Sequence, residues 1–265
     1  MIQGEDLADL AEVGTLAVVA REEIGKVMQH QFEAFIDDLK HTHGKNLESV
    51  ILYGSAAAGD FILRASNYNL LIALKKIGPE DLRKAHASVR EWVRMGHPVP
   101  VYFTVSELQN AADVFPIEFH QMSVARQVLF GADVLAGLDI TGGNMRLQAE
   151  YELRSKLLRL RRHYIPASVS VDGLKGLMAE SLGSFAAIFR AVLVIFGVEP
   201  PATKREIVAL TAQHLKLDGT PFEKIFNIRE NNFTENLDDT TANVLFGEYL
   251  EQIEKVIDAV DAFEN

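Results

Sequence analysis

Apolar positions along the chain change period part-way through. Ile24, Val27, Met28, Phe32, Phe35 and Ile36 recur at helical spacing, which predicts a helix over 20–39. His43-Gly44-Lys45-Asn46 supplies its stop signal. Short apolar runs then predict buried strands at 49–53 and 68–74, a helix over 79–95 opened by Pro79, and a third strand at 99–104. Pro100 places that third strand at a sheet edge, and Val128 to Gly131 adds a short fourth. After Thr141-Gly142-Gly143 the period is helical nearly to the end, with helices predicted over 144–164, 171–197, 203–215, 222–229 and 242–263. Pro166, Pro200-Pro201 and Gly219-Thr220-Pro221 punctuate them. Strands alternating with helices, then helices alone, predict an α/β domain over 1–140 and a helical bundle over 141–265.

Composition narrows what such a chain does. The 265 residues carry 37 acidic against 26 basic side chains, a net charge of −11. That balance argues against a protein that covers nucleic-acid phosphates with cations. Cysteine is absent, which removes disulfides, thiolate metal sites and cysteine nucleophiles together. Acidic residues at Glu5, Asp6, Asp9 and Glu12 replace the basic start of a secretory signal. The most apolar stretch, 177–198, is interrupted by Glu180 and Arg190, so a buried bundle helix is expected rather than a membrane span. The expectation is a cytoplasmic protein whose partner is a small molecule or another protein.

The segment from Leu52 to Ile72 carries the candidate chemistry. A strand ends in Gly54-Ser55, small residues follow, and after eleven intervening positions a strand starts at Asn67-Tyr68-Asn69-Leu70-Leu71. Gly54 has no side chain to keep a bulky anion from the backbone, and Ser55 with the amides after it suits phosphate oxygens. Asn67 and Asn69, two apart on a strand, point to one face.

In these residues the chain resembles the nucleotidyltransferase superfamily, which includes the kanamycin and other aminoglycoside nucleotidyltransferases and DNA polymerase β. The superfamily's hallmark is Gly-Ser at a strand end, then Asp-x-Asp on the next strand. The resemblance implies an α+β, nucleotidyltransferase-like domain with a small mixed sheet and flanking helices, followed by an all-α bundle. It assigns Gly54, Ser55, Asn67 and Asn69 to nucleotide binding. For an active member it also implies an NTP and Mg²⁺, held by the two aspartates and a third strand carboxylate.

This sequence departs from that pattern where the metal would sit. Asn67 and Asn69 replace both aspartates, and the later strand offers Val101, Tyr102 and Phe103. Mg²⁺ selects anionic oxygen, so the expectation is a divergent, catalytically degenerate member that keeps a nucleotide or phosphate cleft in a binding or regulatory role. Two other readings stay open. One is nucleotide transfer to a small hydroxylated acceptor with replacement ligands such as Asp60 or Glu118. The other is an antitoxin-like protein-interaction module.

Further candidates lie outside the motif. Arg154, Lys156, Arg159, Arg161 and Arg162 put five cations into nine residues; Arg154 and Arg161 border the apolar helix face and are candidate phosphate contacts, or else pair with nearby acids. His41 and His43, after Asp37 and Asp38, are expected on the surface at a helix end. Phe115 to His120 alternates apolar and polar residues and reads as an extended connector with Glu118 and His120 on one side.

Overall fold

The computed structural model describes residues 30–54, 56–57, 68–234 and 237–263. The chain divides into two compact units. One takes the described residues up to Asn110 with His120–Leu138, and the other takes Ala111–Phe119 with the described residues from Asp139 onward.

In the first unit, helix α1 covers 30–43 of the described chain. It buries Phe35, Ile36 and Leu39, the helically spaced stripe, and a 3₁₀ turn at Gly44–Asn46 closes it. Asn46 fastens that turn, its amide donating to the Lys76 carbonyl at 2.9 Å and accepting from the Lys76 N–H at 3.1 Å. Strand β1 (Leu47–Tyr53) pairs antiparallel with β2 (Asn69–Leu74), with Tyr53 opposite Asn69 and Val50 opposite Ile72. The helix expected over 79–95 is two helices, α2 (Pro79–Lys84) and α3 (His86–Arg94), which meet at Ala85. They form the crossover that a parallel neighbour of β2 requires, and β3 (Val101–Thr104) is that neighbour. Helix α4 (Val105–Asn110) follows. Strand β4 (Arg126–Gly131) pairs antiparallel with β1 at the opposite edge, giving the order β3-β2-β1-β4.

One face of this sheet presents Val50, Leu52, Leu70, Ile72 and Leu74 to α1 and α3. Trp92 is fully buried there, its ring centroid 4.8 Å from Phe35 and 4.3 Å from His97. The β1–β4 seam is tight at Gly131, where a Cβ would fall 1.9 Å from the Glu48 carbonyl oxygen. The buried Ser49 hydroxyl bonds the carbonyls on either side, Phe130 at 3.1 Å and Ala132 at 2.6 Å.

His43 corrects the surface expectation made for it. It is only 8 % exposed, its ring centroid 6.1 Å from Tyr102, and neither ring nitrogen has a hydrogen-bond partner. Burial holds its pKa below the ordinary value, so it is not the cation that would suit a helix C-terminus. His41, two residues earlier, is exposed.

The segment expected to be extended at 115–120 is helical, and its residues up to Phe119 belong to the second unit and those from His120 to the first. Helix α5 spans Pro116–Val124, and its rings at Phe115 and Phe119 meet with centroids 6.2 Å apart at the four-residue spacing of a helix turn. Glu118 and His120 therefore do not share a side. Ile117 joins the core of the helices that follow: α6 (Gly142–Ala167), α7 (Val171–Ile195), α8 (Lys204–His214), α9 (Thr220–Arg229) and α10 (Asp239–Asp261). Their starts are capped by Thr141, Ser170, Thr203 and Asp238, with Gly219 preceding Thr220-Pro221. Helix α7 is long and apolar enough to cross a membrane, and it is also the most deeply buried helix of the bundle, with Leu174, Met178, Leu182, Phe185 and Phe189 in its core. Tyr249 of α10 lies fully buried among Phe185, Phe222 and Phe246, and its hydroxyl meets the Ser181 hydroxyl at 3.1 Å.

Candidate functional site

At the end of β1 the chain turns sharply. Gly54 has φ +86°, its N–H donates to the Ala125 carbonyl at 2.9 Å, and its own carbonyl accepts from the Ala57 N–H at 2.9 Å. A left-handed conformation of this kind favours glycine. Asn69, the first residue of β2, stands beside this turn: a Cβ on Gly54 would lie 3.3 Å from the Asn69 Nδ2. No described residue hydrogen-bonds the Asn69 amide. The pairing of the strands therefore brings Gly54 and Asn69 together, whereas Ser55, Asp60 and Asn67 lie outside the described residues.

Strand register fixes what shares Asn69's face. Tyr53 is opposite it on β1, and Arg126 is opposite Tyr53 on β4, so an amide, a phenol and a guanidinium form a row across three strands. Burial raises the Tyr53 pKa, keeping the phenol as a hydrogen-bond donor. Asp133 clamps Arg126, its two oxygens accepting from Nε at 3.1 and 3.0 Å, and Arg126 also donates to the Ser123 carbonyl. That hydrogen-bonded guanidinium holds the Asp133 carboxyl below its usual range.

On the other side, β3 pairs Val101 with Leu71 and Phe103 with Ala73. Among the described residues the row Asn69–Tyr53–Arg126 has no carboxylate of its own, and Asp133 beside it is taken up by Arg126. The row's amide, phenol and guanidinium do not fit Mg²⁺, a hard cation that wants anionic oxygen. Nor do the described residues hold any cluster of three or more His, Cys, Asp or Glu suited to a metal. The acids nearest in sequence are engaged elsewhere. Glu107 accepts from the Thr104 N–H at 2.7 Å to cap α4, and Glu118 accepts from the Gln148 amide at 2.8 Å.

The fold itself has a known counterpart. It is similar to spectinomycin adenyltransferase AAD(9) from Enterococcus faecialis, solved with ATP and spectinomycin, with a TM-score of 0.51 and 13 % identity over 88 % of this chain and 99 % of that one. The fold is nucleotidyltransferase-like. No family model and no curated protein matches the sequence. In this nucleotidyltransferase-like chain, Gly54 and Asn69 stand at the strand ends where the sequence motif is written.

The helical unit carries a second concentration of functional groups, built by α6 and its neighbours. Helix α6 faces the core through Met145, Ala149, Leu153, Leu157 and Leu160, which leaves cations on both flanks. On one flank Arg154 bonds Glu150 at 2.8 Å and Asp261 at 3.1 Å, and Arg161 bonds Glu254. These two candidate phosphate contacts thus tie α6 to α10.

On the other flank Lys156, Arg159 and His163 face α7 and enclose about 90 Å³ with Glu180, Ser181 and Ser184. Glu180 and Ser184 also line an adjoining open groove of about 540 Å³, completed by Gly176, Ala179 and Gly183 of α7, Lys204 of α8 and Arg229 of α9.

Local structure sets the two later cations. Arg190 donates to the carbonyls of Pro201 at 2.9 Å and Ala202 at 3.2 Å, fixing the approach to α8. Thr203 and Glu206 then cap that helix reciprocally, with Lys204 as its first residue. Arg205 bridges to Glu223, Asn227 and Glu230 of the following segment, which sets the end of α9. Arg229 lies over Gly183, where a Cβ would fall 2.4 Å from its Nη1. Among the described residues, the side chains of Lys156, Arg159, Lys204, Arg229 and Glu180 make no hydrogen bond or ion pair. The sequence shows Lys156 and Arg159 within a cationic run, but nothing local in it joins them to Lys204 and Arg229.

Proposed function

We propose that this chain is a divergent, catalytically degenerate nucleotidyltransferase-like protein of the cytoplasm. In this reading it binds a nucleotide or another phosphate-bearing small molecule and works as a binding or regulatory module. The observation that carries it is the row Asn69–Tyr53–Arg126 beside the Gly54 turn, which has no acid of its own and whose neighbouring carboxylate, Asp133, is taken up by Arg126. Two-metal nucleotidyl transfer depends on carboxylates that hold the ions clamping the attacking and leaving oxygens. Without them, a glycine turn and polar side chains suit phosphate recognition but not that chemistry. The similarity in fold to a protein solved with ATP and spectinomycin supports a nucleotide as the first ligand to test.

The test is a calorimetric titration of the full chain with ATP and GTP, with and without Mg²⁺, alongside an assay for transfer of labelled nucleotide to small hydroxylated acceptors. Binding that does not depend on Mg²⁺ and weakens in Gly54→Val, with no transfer, is the expected result. Mg²⁺-dependent transfer to any acceptor would overturn the reading.

A further inference from the structure

We propose that the groove formed by α6, α7, α8 and α9 binds a small polyanion, a phosphorylated or polycarboxylated molecule. This goes beyond the reading above, which concerns the sheet edge, and does not rest on it.

The protein has 37 acids for 26 Lys and Arg, so carboxylates are in surplus. Where arginines hold the bundle together they are matched: Arg146 and Arg154 by Glu150, Arg161 by Glu254, and Arg205 by Glu223 and Glu230. Lys156, Arg159, Lys204 and Arg229 are gathered from three helices around two adjoining cavities with no such match among the described residues. Lys156 and Arg159 stand three apart on one helix, an arrangement of like charges that destabilises it slightly. A purely structural role does not repay that, but an anion held between the helices does.

Shape agrees with charge. Gly176 and Gly183 keep the α7 side of the groove low, and about 540 Å³ is within the size range of small-molecule sites. With Gly183 beneath it, the Arg229 guanidinium lies close against α7, and guanidinium is the side chain best matched to planar, two-point recognition of phosphate or carboxylate. Glu180 is a lone acid among four cations, too few to hold an amine-rich sugar and well placed to meet a hydroxyl of an anionic one.

The experiment is calorimetric titration of the full chain with inorganic pyrophosphate and, separately, citrate, with kanamycin as the amine-rich probe. Binding of pyrophosphate alone assigns phosphate, binding of citrate alone assigns carboxylate, and either supports the proposal. Arg229→Ala and Lys204→Ala, both exposed sites, should each weaken the anion about tenfold, the usual scale for one charge-assisted contact. Arg161→Ala removes the same charge from the α10 flank and should change affinity less than about twofold at physiological salt, because Arg161 is paired with Glu254, does not line the groove and is screened as an exposed charge. The proposal is overturned if neither anion binds at millimolar concentration, if Arg161→Ala weakens binding as much as Arg229→Ala, or if kanamycin binds and is lost in Glu180→Gln.

Its fate is separable from that of the nucleotide reading. ATP binding that depends on Gly54 and Asn69, without pyrophosphate binding, removes the groove and keeps the sheet-edge site. Pyrophosphate binding that depends on Arg229, unchanged in Gly54→Val and in Asn69→Leu and without ATP binding, does the reverse.

Discussion

Substituting Gly131 with alanine separates backbone strain from steric conflict. Gly131 has φ +77° and Gly137 has φ +80°, so a methyl group at either must enter the left-handed region, at about 1–2 kcal/mol. Their surroundings differ. A Cβ at Gly137 meets nothing within 4 Å, whereas one at Gly131 falls 1.9 Å from the Glu48 oxygen and 3.1 Å from Ser49 Cα. Non-bonded carbons rest about 3.5–4.0 Å apart, so β1 and β4 must separate by more than an ångström. Overpacking of that kind costs about 1–3 kcal/mol. Moving β4 also strips a bond from the buried Ser49 hydroxyl, about 1 kcal/mol more.

Gly131→Ala should therefore destabilise the first unit by roughly 3–6 kcal/mol, and Gly137→Ala by the conformational part alone. The assay is urea unfolding of the full chain followed by fluorescence. Trp92 is the chain's one tryptophan and is fully buried in the first unit, so it reports that unit without interference from the bundle. Equal shifts of the Trp92 midpoint in the two variants would refute the steric argument.

Other predictions follow from single contacts. The pKa of His43 is lowered by burial, so the unfolded chain takes up its proton first as pH falls through the ordinary histidine value. Wild-type stability measured from the Trp92 midpoint should drop between pH 7.5 and 5.5, and His43→Leu should show a smaller drop; an unchanged drop would show that His43 is not responsible. In the bundle, Ser181→Ala strands the fully buried Tyr249 hydroxyl and should cost about 1–3 kcal/mol, whereas Tyr249→Phe leaves Ser181 its bond to the Met178 carbonyl and should cost about 1 kcal/mol. Thermal melts by circular dichroism rank the two, and the reverse order would contradict this account. The double change Asn67→Asp with Asn69→Asp should create Mg²⁺ affinity in the presence of ATP, measured by calorimetry; no gain would mean the paired acids alone do not make the site.

The apolar pattern of the chain carried the sheet and the bundle well. Val50-Ile51-Leu52 and Leu70-Leu71-Ile72 are unbroken apolar runs, as strands buried on both faces require, and the stripe Leu153, Leu157 and Leu160 states its period openly. Helix α5 did not, because it is buried on more than one side. Ile117, Phe119 and Met122 are all inaccessible, and a helix covered on several sides has no single apolar stripe to read. The alternation of Phe115, Ile117 and Phe119 then mimics a strand, and Pro116 at the helix start was the overlooked signal.

The cations of α6 show a different limit. Whether Arg154 and Arg161 meet a ligand or an acid is decided by Asp261 and Glu254, 107 and 93 residues further on. Local spacing places both arginines on a helix face but says nothing of what the chain later brings to it.

Helix α10 also sets an order of events during synthesis. The core of α7 is completed by Leu245, Tyr249, Ile253 and Val256, which leave the ribosome well after α7 itself. Until they arrive, an unusually apolar helix stands with one side uncovered, the condition in which nascent chains associate wrongly or are held by chaperones. The first unit draws its sheet from earlier residues and is free to fold ahead of the bundle. A stop codon before α10 should therefore leave the Trp92 signal native while turning the helical unit into an aggregation-prone chaperone client.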